Sequence, residues 1–122
     1  LRTTMVAKNQ VEGGAEALHR WLRDPDGLSR AEMLAAVRFT LFTLERNSPG
    51  RAVEVRVPPA GAVQIMRGTT HRRGTPPAVV EMDMQTWLRL ATGQITWEAA
   101  EEEALVDASG ERADLSPLLP LV

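Results

Sequence analysis

His19 and His71 are the only histidines in this 122-residue chain, which contains no cysteine. A serine or cysteine nucleophile needs a base beside it and a third group to orient that base. Neither histidine is accompanied by a G-x-S-x-G elbow. Metal sites need two or three His, Cys or carboxylate ligands at close spacing, which two distant histidines do not supply. Glu101, Glu102 and Glu103 form a like-charge run, expected to be a solvated helix face rather than a metal cage or an acid–base pair. Neither a P-loop nor a G-x-G-x-x-G fingerprint occurs. No residue set offers an acid, a base and a positioned electrophile together. The expectation is therefore no catalytic residue, no metal and no cofactor, in a protein that is not an enzyme.

One basic segment could recognise a charged group. Arg67, His71, Arg72 and Arg73 are gathered with Gly68 and Gly74 in a turn-rich stretch. Such a loop could hold a carboxylate or phosphate headgroup through charge-assisted hydrogen bonds, with His71, Arg72 and Arg73 as contacts. The competing expectation is a solvent-facing hairpin loop whose arginines pair with the acidic C-terminal part. Residues 1–76 carry 12 basic against 7 acidic side chains, and residues 77–122 carry 2 against 9. Complementary charge within one domain accounts for that asymmetry. Nucleic acid is not an expected partner, because the whole chain is slightly acidic and its aromatics are three Trp and two Phe.

A small framework has to position these residues. Residues 12–23 are predicted helical, with Ala15, Leu18, Trp21 and Leu22 on one face. Asp24-Pro25-Asp26-Gly27 ends that helix. Residues 29–47 carry the strongest helical pattern. Ser29 and Glu32 form a capping box, and Met33, Leu34, Val37, Leu41 and Leu44 recur on one side, widened by Phe39 and Phe42. Strands are predicted at 51–57, 62–67 and 78–83, where Val53, Val55 and Val57, then Val63 and Ile65, then Val80 and Met82 alternate with polar residues. Asp83 caps a helix to about residue 92, and Gly93 suits its C′ position. Thr96 caps a further short helix at 97–103. Two short strands, 105–109 and 112–115, flank the turn Ser109-Gly110-Glu111, and the apolar tail 116–122 is broken by Pro117 and Pro120. Short connections between strands favour an antiparallel sheet, and helices not alternating with strands favour an α+β fold.

The length suits one domain, residues 1–122, with a mainly aliphatic core. No apolar run is long enough to span a membrane. Residues 1–9 lack the apolar stretch of a signal peptide, and Leu1 is not expected to be the natural start. The absence of cysteine fits a reducing compartment, so a cytoplasmic location is expected. Transient membrane contact and homodimerisation both remain open.

The stretch Trp87-Leu88-Arg89-Leu90-Ala91-Thr92-Gly93, followed by Ile95-Thr96-Trp97 and Ala100, resembles the sterol-carrier-protein family. Ala108-Ser109-Gly110-Glu111-Arg112-Ala113-Asp114-Leu115 resembles the family's closing strand-turn segment. Pro49-Gly50-Arg51, Val55-Arg56-Val57-Pro58-Pro59, Val63-Gln64 and His71-x-Arg73-Gly74-Thr75-Pro76-Pro77 resemble the actinobacterial orthologues, so the likeness covers roughly residues 33–120. It implies a largely antiparallel five-stranded sheet with helices packed on one face, enclosing an apolar tunnel for lipid, acyl chain or sterol. Under that implication Phe39, Phe42, Val55, Ile65, Val80, Met82, Trp87 and Leu119 are the expected walls. A twelve-carbon chain would gain on the order of 10 kcal/mol from burial, so micromolar affinity survives the cost of binding. The alternative is an interaction domain of the same fold whose cavity is filled by side chains such as Met66, Met82 and Met84. A similar module occurs in thiol-dependent maleylpyruvate isomerases, but the metal-binding helical domain those enzymes need has no counterpart here.

Overall fold

The computed structural model describes residues 12–68, 78–110 and 113–121, together with Met5. Helix α1, Gly14–Arg23, buries Gly14, Ala17, Leu18 and Trp21. The expected face at Ala15 and Leu22 is thus displaced, and Leu22 is 44% exposed. The displacement has a steric cause. A Cβ added at Gly14 would fall 2.2 Å from the Cβ of Phe39, so only glycine lets α1 approach the next helix so closely.

Helix α2, Arg30–Asn47, starts at the expected capping box. Glu32 N–H donates to Ser29 Oγ at 3.1 Å, and Ser29 N–H donates to Glu32 Oε1 at 3.0 Å. That backbone hydrogen bond, with the Arg20 guanidinium from α1, holds the Glu32 carboxyl below the usual carboxylate range. Met33, Ala36, Val37, Thr40, Leu41 and Leu44 are its buried stripe.

Strand β1, Pro49–Val57, pairs antiparallel with β2, Gly61–Ile65. The pairing shifts register between Pro49 and Val53. Gly50 sits there at φ 154°, and a Cβ on it would lie 1.9 Å from the Met66 carbonyl oxygen. Strand β3, Ala78–Met82, lies parallel to β1 on the other side, and β4, Val106–Ser109, closes the sheet antiparallel to β3. The order is β2-β1-β3-β4. Met5 adds an isolated parallel bridge to Ala62.

One expectation is corrected. The sheet has four strands among the described residues rather than five. It is largely antiparallel, as expected, with β1 and β3 as its one parallel strand pair among those residues. The fifth strand had been expected at 112–115; residues 113–115 are not in a strand, and Arg112 lies outside the described residues. Asp114 explains the break, because its Oδ1 accepts the Ser116 N–H at 2.9 Å. Such a local side-chain bond competes with strand pairing and turns the chain. A 3₁₀ turn, Ser116–Leu118, follows, and Leu115 is fully buried instead of lying in a ladder.

Asp83 caps α3, Met84–Ala91, by accepting the Thr86 N–H at 2.8 Å. Thr96 caps α4, Trp97–Glu102, by accepting the Ala99 N–H at 3.1 Å. Gly93, at φ 78°, reverses the chain between them. One core joins the helices to a single sheet face, formed by Val53, Val55 and Val57 of β1, Val63 and Ile65 of β2, and Ala78, Val80 and Met82 of β3. The tail docks on the end of α3, where the Leu121 N–H donates to the Ala91 carbonyl at 2.8 Å and Pro120 lies against Gly93.

Candidate functional site

The eight expected wall residues separate into two environments. Val55, Ile65, Val80, Met82 and Trp87 sit between the helices and the sheet. Pairing sets their neighbours: Val55 lies opposite both Val63 and Val80, and Ile65 lies opposite Val53. Trp87 is anchored through its polar edge, its Nε1–H donating to Thr40 Oγ1 at 2.8 Å. Thr40 in turn donates to the carbonyls of Ala36 or Val37, both at 2.9 Å. Val55, Ile65, Val80 and Trp87 have no exposed surface, so no water-sized void touches them in this conformation.

Phe39, Phe42 and Leu119 are only half-buried and pack on the margin of the core. At 100° per residue, a stripe centred on Val37, Thr40 and Leu44 turns Phe42 away from the sheet. The Arg46 guanidinium lies 5.8 Å above its ring. Phe39 faces α1 at Gly14. Leu119 belongs to the tail beside α3. The fold therefore does not gather all eight on one wall. His71, Arg72 and Arg73 lie outside the described residues, and His19 is exposed on α1.

An open pocket of about 330 Å³ occurs at the end of the sheet. Pro58 follows β1, Glu81, Met82 and Asp83 end β3, and Ala104, Leu105, Val106 and Asp107 lead into β4. Met82 is the one expected wall residue on its lining. Period-two alternation places Met82 with Val106 toward the helices and Glu81 with Asp107 on the other side, each pair in direct register. Leu105 is set by the end of α4. There Ala104 takes φ 56°, its N–H bonds to the Glu101 carbonyl, and the Leu105 N–H bonds to Ala100 at 2.9 Å. This double bond pattern is a Schellman ending, with alanine where glycine is usual. The pocket is thus lined by the apolar Pro58, Met82, Leu105 and Val106 and by the acidic Glu81, Asp83 and Asp107, with Glu81 and Asp107 turned to the sheet face opposite Met82 and Val106.

The sequence reading missed this pocket because three separate segments meet to make it. The local signals were the alternation Glu81-Met82-Asp83 and the pair Val106-Asp107. Among the described residues, no group of three or more His, Cys, Asp or Glu side chains is arranged to hold a metal ion. No described helix is long and apolar enough to cross a membrane. Both ion pairs among the described residues, Arg20–Glu32 and Arg56–Glu54, lie in the basic part of the chain. Neither joins it to the acidic part.

A family model described as bacterial SCP ortholog matches residues 29–121. The match runs from the cap of α2 to the tail and leaves α1 outside. No curated protein matches the chain.

Proposed function

This chain belongs to the bacterial SCP-ortholog family, and from that premise we propose that it binds or transfers an apolar ligand without catalysing a reaction. The ligand class is fatty acyl, lipid or sterol-like. It is held in the layer between the helices and the inner face of the sheet. Family membership over residues 29–121 is the observation that carries this function. Physical support comes from the interior, where Val55, Ile65 and Val80 from the sheet meet Leu41, Leu44 and Trp87 from the helices. An acyl chain placed there exchanges water for aliphatic neighbours, at about 0.8 kcal/mol per methylene. Because these residues have no exposed surface, binding requires the helix layer to separate from the sheet. Met82 connects that layer to the pocket at the sheet end, which makes this end the route of access.

A second reading is favoured by one observation. The same zero exposure describes a filled core, as expected of an interaction domain that kept the fold without a cargo. Native mass spectrometry of the purified protein, followed by solvent extraction, separates the two. A co-purified apolar molecule near one-to-one is the expected result for a carrier. A clean apo mass, with no uptake of added fatty acid, acyl-CoA or sterol, would establish the filled domain instead.

A further inference from the structure

We infer that α3 is the movable wall of the interior and that Gln85 is the latch holding it shut. The inference rests on the proposed apolar-ligand function and names the seam through which that ligand enters. Among the described residues, three side-chain hydrogen bonds cross from α3 to the hairpin of α1 and α2. Two belong to Gln85, on the first turn of α3. Its Oε1 accepts the Trp21 indole N–H at 2.8 Å, and its Nε2 donates to the Pro25 carbonyl, in the turn after α1, at 3.0 Å. An indole N–H only donates and a carbonyl only accepts, so this amide uses both of its ends. The third bond is the buried one from Trp87 to Thr40. Trp21 and Pro25 lie outside the family match and Gln85 within it, so the latch joins the leading helix to the matched domain.

The other two helices of this layer are tied down differently. Helix α2 is fixed to the sheet: Arg38 Nε donates to the Ala60 carbonyl between β1 and β2, and the Met66 N–H donates to the carbonyl of its C-cap Ser48, both at 2.8 Å. Helix α1 is fixed to α2 by the close approach at Gly14 and by the Arg20–Glu32 pair. Among the described residues, no side-chain hydrogen bond joins α3 to the sheet. The tail holds the C-terminal end of α3 through Ala91, whereas Gln85 alone bonds its first turn to the hairpin. Gln85 is exposed, so water replaces its partners at little cost. The Trp87–Thr40 bond is buried, and water reaches it only after the seam parts. The outer bonds therefore yield first and the inner one follows. Asp83, the cap of α3, lines the pocket at the sheet end, so a parted first turn opens that pocket toward the interior.

The test is native-state hydrogen exchange by NMR on the full chain and on Gln85→Met, which keeps side-chain length and helix preference but makes neither bond. If α3 opens on its own, the Trp87 indole N–H is protected at least about tenfold less than the amides of Val55 and Val80, each corrected for its intrinsic rate. The Leu41 amide, on the helix that stays, is expected to match those strands. An open state whose latch is already broken gains nothing from Gln85. Gln85→Met should therefore raise the Trp87 opening constant by the same factor as the global unfolding constant in urea, about tenfold. Trp87 protection equal to that of Val55 and Val80 in the native chain would overturn the movable helix. Trp87 exchange unchanged in Gln85→Met would overturn the latch. Uptake of dodecanoate, added below its micellar concentration and timed by stopped-flow tryptophan fluorescence, should accelerate by the same factor in Gln85→Met. Uptake at an unchanged rate, with Trp87 exchange accelerated, would overturn the seam as the entry and leave the carrier function standing. If exchange behaves as expected and neither dodecanoate nor dodecanol binds, the latch stands and the carrier function fails.

Discussion

The interior around Trp87 and the sheet end around Asp107 are built on opposite terms. Inside, polar groups are few and each has a partner: Trp87 Nε1–H is taken by Thr40, whose own hydroxyl proton goes to α2. At the sheet end, the exposed Glu81 and Asp107 face one another across β3 and β4, on the face of the sheet turned from the helices. Stability is concentrated in the first region, because burial and satisfied hydrogen bonds reinforce each other there. The second region stores an unfavourable juxtaposition that water and salt make tolerable.

Substitutions can break or sharpen this contrast. Trp87→Ala removes a fully buried aromatic and should cost about 3–5 kcal/mol in chemical denaturation. A folded variant losing less than about 1 kcal/mol would mean that the interior is not close-packed and that the contrast is false. Thr40→Val keeps the shape but leaves the Trp87 N–H without its acceptor, at about 1–3 kcal/mol in the same assay.

Asp83 belongs to both regions, since it lines the pocket and caps α3. Asp83→Ala should cost about 1 kcal/mol, near the value for losing an N-cap. Asp83→Asn, which keeps a capping oxygen, should recover most of it. Asp107→Asn removes one of the two facing charges. Its stability should change by no more than about 0.5 kcal/mol, in the stabilising direction and most visibly at low salt. A loss above 1 kcal/mol would show that Asp107 has a structural partner.

The smallest effect concerns Glu32, far from either region. Its folded carboxyl titrates below the usual range, so its stabilisation is present above the unfolded value and lost as pH falls through the folded one. The difference in Tm between the native chain and Glu32→Gln should therefore be present at neutral pH and shrink on acidification. A difference independent of pH would assign it to packing rather than charge.

Much of the framework was legible because it depends on neighbours in sequence. Ser29, Asp83 and Thr96 cap their helices through bonds three residues away, and Gly93 reverses the chain with its own positive φ. The inward valines of β1 follow from period two alone. Other features were illegible because they need elements distant in sequence. The face of α1 was set by the room that Gly14 leaves beside Phe39, a position given no weight in a count of apolar residues. The wall set divided because Phe42 contributes apolar character on the side of α2 turned from the sheet.

The sequence by itself determined the order of the four helices and of the four strands, which strand faces are apolar, and that no nucleophile triad motif or cysteine is present. Those properties reside in side-chain type, capping chemistry and repeat period. Only the tertiary structure decided that β1 and β3 run parallel, that Asp114 turns the last segment out of the sheet, and that Glu81 faces Asp107 while Met82 faces Val106. Each of these last arrangements is fixed by strand register and by contacts between segments far apart in the chain, which local pattern does not encode.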